Sequence, residues 1–228
     1  DAASSKRVSF EQNIIRPLSN PLYPCSSLAV LFGNLAPNGA VIKASASKYR
    51  SLLSHTGPAV VFENSADLAR RIDDPDLQVT KDSMLVLKGI GPIGNPGMPE
   101  AGMIPIPKKL AAAGVKDMLR LSDGRMSGTA GGTIILHISP EAALPGSPFG
   151  VVETGDLITC DLEGRRLHLE VSDEILQARI AKRKEMLESE TGPVRAREQR
   201  RGYRGLYERS VNQAHEGTDF DFLTAKGV

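Results

Sequence analysis

Ser122-Asp123-Gly124-Arg125-Met126-Ser127-Gly128-Thr129-Ala130-Gly131-Gly132-Thr133 sets Ser127 and Thr129 inside a glycine-rich loop beside Arg125. Apolar runs flank it, Met118 to Leu121 before and Ile134 to Ile138 after. Glycines let such a loop turn backbone N–H groups toward an anion and leave a hydroxyl exposed. A serine acts as base or nucleophile only when a neighbouring base, cation or metal activates it. Arg125 supplies a nearby charge, whereas no His-Asp pair is adjacent, which disfavours a Ser-His-Asp hydrolase. Upstream, Gly91-Pro92-Ile93-Gly94-Asn95-Pro96-Gly97-Met98-Pro99 leads to one carboxylate, Glu100. The stiff backbone before it suits a Mg²⁺ ligand, and a solvent-facing loop glutamate is the plainer reading. Together the loops suggest the wall of a site for a small anion and a metal ion.

Two other patterns point away from chemistry. Gly89-Ile90-Gly91-Pro92-Ile93-Gly94 has dinucleotide-fingerprint spacing, but Pro92, Pro96 and Pro99 deny it the helix N-terminus that a pyrophosphate needs. His55, His137, His168 and His215 show no metal-ligand spacing, and His137, between Leu136 and Ile138, reads as a core or strand histidine.

The elements that must position these loops are mostly strands. Runs rich in Val, Ile and Leu recur at Leu28–Phe32, Ala40–Lys43, Ala59–Phe62, Met84–Lys88, Met118–Leu121, Thr133–Ile138, Leu157–Asp161 and Arg166–Val171. The last alternates as a half-exposed strand, and Gly164 before it marks a hairpin turn. Helices are expected over Ser65–Ile72, capped by Asn64 or Ser65, over Lys108–Ala113, and over roughly Ser172–Ser189; a second helical stretch runs from Gly192-Pro193 to about His215. This is no regular β-α-β alternation. It reads as α+β, a mixed β-barrel or sandwich with peripheral helices and a helical C-terminal extension. The expected division is a linker arm over 1–26, a domain over 27–190 and an extension over 191–228.

Size and charge narrow the partners. The chain has 228 residues, 40% hydrophobic and 24% charged, and a net charge of +1, which gives no global case for nucleic acid or an anionic membrane. No apolar run approaches the ~20 residues of a membrane span. Nine Lys or Arg against four Glu over Arg179–Arg204 read as a solvated helical face or a surface packed on another domain. Cys25 and Cys160 lack metal spacing and read as reduced, partly buried thiols of an intracellular protein, cytoplasmic or organellar rather than secreted. The opening at Asp1, without Met or a signal-peptide core, reads as a processed or truncated chain.

Several blocks, in order, resemble the C-terminal portion of the dihydroxy-acid and phosphogluconate dehydratases. They are Gly33-Asn34-Leu35-Ala36-Pro37 with Gly39-Ala40-Val41-Ile42-Lys43; Gly91-Pro92 through Pro96-Gly97-Met98-Pro99-Glu100; Ser122-Asp123-Gly124-Arg125 with Ser127-Gly128; His137 through Ala143; Gly155-Asp156-Leu157-Ile158; and Val171-Ser172-Asp173-Glu174. Arg125-Met126-Ser127-Gly128-Thr129-Ala130 and the tail around Arg201-Gly202-Tyr203 and Asp219-Phe220-Asp221-Phe222-Leu223 are similar to the sugar-acid branch.

The resemblance implies a swivelling β/β/α domain and a hydro-lyase that turns a 2,3-dihydroxy sugar acid into a 2-keto acid. It implies Ser127 as the base for the C2 proton, Thr129, Gly128 and Arg125 on substrate, and Glu100 as the one Mg²⁺ ligand from this half. An iron–sulfur cluster acts in the family as Lewis acid on the departing hydroxyl. Cluster cysteines and the other metal ligands belong to an N-terminal cluster domain, so this chain alone is expected to be inactive. The full-length protein is expected to be a homo-oligomer. Alternatives are the dihydroxy-acid dehydratase of branched-chain amino-acid biosynthesis and a non-catalytic anion-binding module.

Overall fold

The computed structural model describes residues 16–17, 19–21, 27–97, 100, 103–126 and 131–223. Cys25, most of the arm and the segment 127–130 lie outside them.

The eight apolar runs become eight strands: β1 (Leu28–Gly33), β2 (Ala36–Lys43), β3 (Ser54–Phe62), β4 (Met84–Leu87), β5 (Arg120–Ser122), β6 (Ile134–Leu136), β7 (Leu157–Asp161) and β8 (Arg166–Leu169). They close into a barrel in the order β1-β2-β6-β5-β4-β3-β7-β8. The neighbours β3, β4, β5 and β6 run parallel, while β1–β2, β2–β6, β3–β7 and β7–β8 are antiparallel. Closure leaves the sheet no free edge. Of the two expected sheet forms, the molecule takes the barrel.

Period-two alternation decides which side chains fill it. Ala59 and Val61 of β3 and Met84 and Val86 of β4 point inward with Leu31, Ile42, Leu121, Ile158 and Leu167. The alternate residues Val60, Phe62, Leu85 and Leu87 face outward and are still buried, against Leu68, Ile72 and Ile104. This second core exists because α1 (Ser65–Arg71) and α2 (Lys108–Ala112) cover the parallel strands, which explains why β4 is apolar at every position. In β8, which has no such cover, Leu167 and Leu169 are buried while Arg166 is exposed, as its alternation predicts.

The C-terminal part follows its caps. Asn64 accepts from the Asp67 N–H at the start of α1, and Ser172 accepts from the Ile175 N–H at the start of α3 (Asp173–Glu188). The single helical stretch expected after Gly192-Pro193 is broken into α4 (Pro193–Glu198), α5 (Gly202–Ser210) and a short 3₁₀ turn at Ala214–Glu216. Gly202, at φ 72°, opens the break, and buried Glu208 holds the turn by drawing Arg200 and Arg204 to one oxygen at 2.5 and 2.9 Å. Much of the basic stretch is likewise spent inside the molecule. Arg179 grips Asp156 through both nitrogens, and Arg183 and Arg197 donate to the carbonyls of Ala142 and Ala143.

Candidate active site

Register brings the two glycine loops together. In the parallel pair β4 and β5, Leu87 lies opposite Ser122, so the chains leaving their carboxyl ends emerge side by side. Lys88 begins the first loop, its ammonium 3.0 Å from Glu63 and 2.7 Å from the Val152 carbonyl. The loops touch where Gly124 passes Ile90: a Cβ at Gly124 would lie 2.5 Å from the Ile90 side chain.

Two buried carboxylates then organise the first loop. Asp123, fully buried at the end of β5, accepts from the backbone N–H groups of Gly89 at 3.1 Å, Ile90 at 2.9 Å and Ala142 at 2.8 Å. Glu141, 1% exposed, accepts from Ile93 at 2.9 Å, Gly94 at 2.8 Å and the Gln213 side-chain amide at 2.8 Å. Gly91 is required because a Cβ there would sit 2.6 Å from a Glu141 oxygen. The amides that a pyrophosphate would need in a dinucleotide fingerprint are therefore taken by side chains of the protein itself, and among the described residues the next helix begins at Lys108. Burial pushes the Asp123 carboxyl up to about 7, helped by the charge of Glu141. Burial also raises Glu141, against the pull of its amide donors.

These supports frame a cavity of about 710 Å³. Gly97 of the first loop and Arg125 of the second both line it, with His137, Tyr207 and His215. Arg125 is exposed and is the only Lys or Arg among the described lining residues. His137 is not part of the strand. It follows β6 with φ 54° and borders the cavity. Burial and the Arg125 charge hold its imidazole below the usual histidine range, so it is neutral at pH 7. His215 meets Ser139 through Nδ1 at 2.8 Å.

Of the residues singled out in the sequence, Arg125 reaches the cavity and Glu100 is exposed three residues beyond Gly97. Ser127, Gly128 and Thr129 lie outside the described residues. Sequence reasoning missed Asp123 and Glu141 as organisers and Tyr207 and His215 as lining. The available signal was an acid placed directly after a buried strand, and another among Ile138, Ala142 and Ala143, where an isolated charge needs donors. Among the described residues no three His, Cys, Asp or Glu side chains converge as a metal site. Among the described residues no helix is long and apolar enough to cross a membrane.

Residues 13–218 match the family described as dihydroxy-acid/6-phosphogluconate dehydratase, C-terminal. The chain is 47% identical over 220 residues to 6-deoxy-6-sulfo-D-gluconate dehydratase of Pseudomonas putida, covering 95% of this chain and 36% of that protein. It is 45% identical over 215 residues to L-arabonate dehydratase of Azospirillum brasilense, covering 94% and 36%. To the dihydroxy-acid dehydratase of Carboxydothermus hydrogenoformans it is 39% identical over 214 residues, covering 93% and 36%. The chain thus spans about a third of the length of these relatives, and it belongs to the family of dihydroxy-acid/6-phosphogluconate dehydratase C-terminal regions.

Proposed function

We propose that this chain is the C-terminal part of a sugar-acid dehydratase, a hydro-lyase that removes water from a 2,3-dihydroxy acid and leaves a 2-keto acid. The observation that carries the reading is the cavity shared by Gly97 and Arg125, one from each glycine loop, in a chain of this family. The relatives named for sulfogluconate and L-arabonate are 47% and 45% identical, against 39% for the dihydroxy-acid dehydratase, which favours a sugar acid over a branched-chain one.

In this reading Ser127 takes the C2 proton, and Thr129, Gly128 and Arg125 hold the substrate. Removing a proton beside a carboxylate builds negative charge, and a site supplies cations where that charge develops. That Arg125 lines the cavity supports this role, and burial together with Arg125 disfavours a second charge on His137. Glu100 is one ligand of a Mg²⁺ ion whose shell is completed by residues outside this chain, since one carboxylate does not satisfy an octahedral ion. When bound, that ion holds the substrate carboxylate and 2-hydroxyl. Cys160 does not fit an iron–sulfur cluster: it is buried inside the barrel, and burial pushes its thiol up to about 12, far from the thiolate that ligation needs. In this reading the cluster belongs to the N-terminal cluster domain of the full-length protein, itself a homo-oligomer. Residues 27–190 form a swivelling domain, 1–26 the arm leading to it, and 191–228 an extension. A free Cys160 accords with an intracellular setting.

The test uses the full-length protein, purified without oxygen and supplied with Mg²⁺ and an aldonic acid, with 2-keto acid formation followed as its semicarbazone. Ser127→Ala is expected to lower kcat by about 10²–10⁴, the share of a general base. A Ser127→Ala enzyme at the wild-type rate would remove the assignment. So would the isolated 228-residue chain turning over substrate, or binding it without turnover by the full-length protein, which would favour the anion-binding module.

A further inference from the structure

The C-terminal segment reaches the first glycine loop through Glu141, and this contact is not needed to close the barrel. Gln213 and Glu141 form a reciprocal clasp. The Glu141 N–H donates to Gln213 Oε1 at 2.9 Å, and Gln213 Nε2 donates to Glu141 Oε1 at 2.8 Å. Glu141 in turn receives the Ile93 and Gly94 amides. Gln213 is itself held by Glu216, whose carboxylate accepts from the Gln213 N–H at 3.1 Å. Further along the loop, Gly97 borders the cavity together with Tyr207 of α5. Gly97 is three residues from Glu100.

We infer that the C-terminal segment is a clamp on the loop that carries Glu100, with Gln213, acting through Glu141, as the positioning residue. The clamp itself stands on the bonds above. Its consequence for Mg²⁺ rests on the proposed function. Residues behind a metal ligand fix its orientation, and their loss typically costs about 10- to 100-fold in metal affinity.

Amide hydrogen exchange on the 228-residue chain tests the clamp without any activity. Gln213→Met keeps the side-chain length and removes both bonds. The Ile93 and Gly94 amides are expected to exchange about tenfold faster, with the β4 amides Met84–Leu87 unchanged. Unchanged loop amides would overturn the proposal, and so would an equal rise through β4, which would make Gln213 a general staple. Gln213→Asn, one methylene shorter, is the second variant should the first fail to fold. The same Ile93 and Gly94 amides are expected to respond, and no change there would overturn the proposal equally. In the full-length enzyme, Gln213→Met is expected to raise the Mg²⁺ concentration for half-maximal activity roughly tenfold. The kcat at saturating Mg²⁺ stays near wild type. Tyr203→Ala, 92% exposed on α5, leaves both unchanged. A lower kcat with unaltered Mg²⁺ dependence would contradict the clamp. A wild-type enzyme with no Mg²⁺ dependence would instead sink the functional reading and leave the exchange result standing.

Discussion

Two buried carboxylate centres flank the same strand a few residues apart, and they are built on opposite plans. Asp117, before β5, has a buried cation: Arg120 donates to it at 3.1 Å, and the Thr133 hydroxyl and the amides of Lys48, Met118 and Thr133 complete its shell. The Arg120 guanidinium then reaches on to the carbonyls of Ile104 and Gly131, tying together the two ends of the strand's surroundings. Asp123, after β5, has no guanidinium or ammonium in its shell; it accepts only backbone amides, and its nearest charged influence of the same sign is Glu141. The difference separates a staple from an adjustable support. A charge neutralised where it is buried holds one geometry, whereas two carboxylates sharing a buried space hold theirs through loop amides and remain sensitive to protonation.

The strongest way to break the contrast is to take the cation from the first centre. Arg120→Met leaves Asp117 buried with neutral donors only. Breaking a buried pair by removing one partner costs about 3–5 kcal/mol. Urea denaturation of the chain should show a loss of that size. A loss under about 1 kcal/mol, the range of exposed pairs, would mean that Arg120 is not the balancing charge.

At the second centre the expected signature is a pH slope. The folded-state value of Asp123, about 7, lies above its ordinary 3.8. Folded protein therefore binds a proton that unfolded chain releases between roughly pH 4 and pH 7. The stability Asp123 contributes is full below about pH 4 and is lost as pH rises through about 7, at up to about 1.4 kcal/mol per pH unit. Glu141, also raised, adds to the same direction. His137 opposes it, because a histidine held low gains stability with rising pH. Asp123→Asn isolates the term. Its amide sets a donor among loop donors and should cost about 1–3 kcal/mol at pH 5. The gap between variant and wild type should then shrink toward pH 8, which urea melts at both values would record. A gap that stays constant with pH would show Asp123 ionised throughout.

The same contrast explains what could be read from the sequence. All eight strands were legible, since a barrel packed on both faces of its parallel strands demands β-branched and aliphatic runs, and the chain supplies them from Leu28 to Leu169. That the two glycine loops share a wall was expected, but its cause was not legible, because it lies in the β4–β5 register, a pairing between segments over thirty residues apart. Arg125 was legible as a charge in a glycine loop. Asp123 and Glu141 stood in the quoted motifs without a role, because a carboxylate's donors here are amides that only the fold assembles. Tyr207 and His215 were further out of reach, since the predicted long helix gave no reason to bring the chain back. The side chain that holds the turn, Glu208, looks in sequence like any solvent-facing helix glutamate.

The finest test asks whether neutral donors are redundant where a cation is present. The Thr133 hydroxyl donates to Asp117 at 2.8 Å and lies 2.6 Å from the Ser47 hydroxyl, whose one proton also serves the Tyr49 carbonyl, so Thr133→Val removes the Asp117 bond, leaves the Ser47 proton to Tyr49 and keeps the side-chain shape. Asp117 retains Arg120 and its backbone donors, and no charge is left without compensation. The expected cost is therefore about 1 kcal/mol, the net worth of an ordinary intramolecular hydrogen bond, well below Arg120→Met. Ser47 keeps its bond to the Tyr49 carbonyl, which limits the damage on the other side. If Thr133→Val proved as costly as Arg120→Met in the same urea melts, the donors would be acting as one inseparable network. The plan that distinguishes Asp117 from Asp123 would then be the polar shell as a whole rather than the guanidinium.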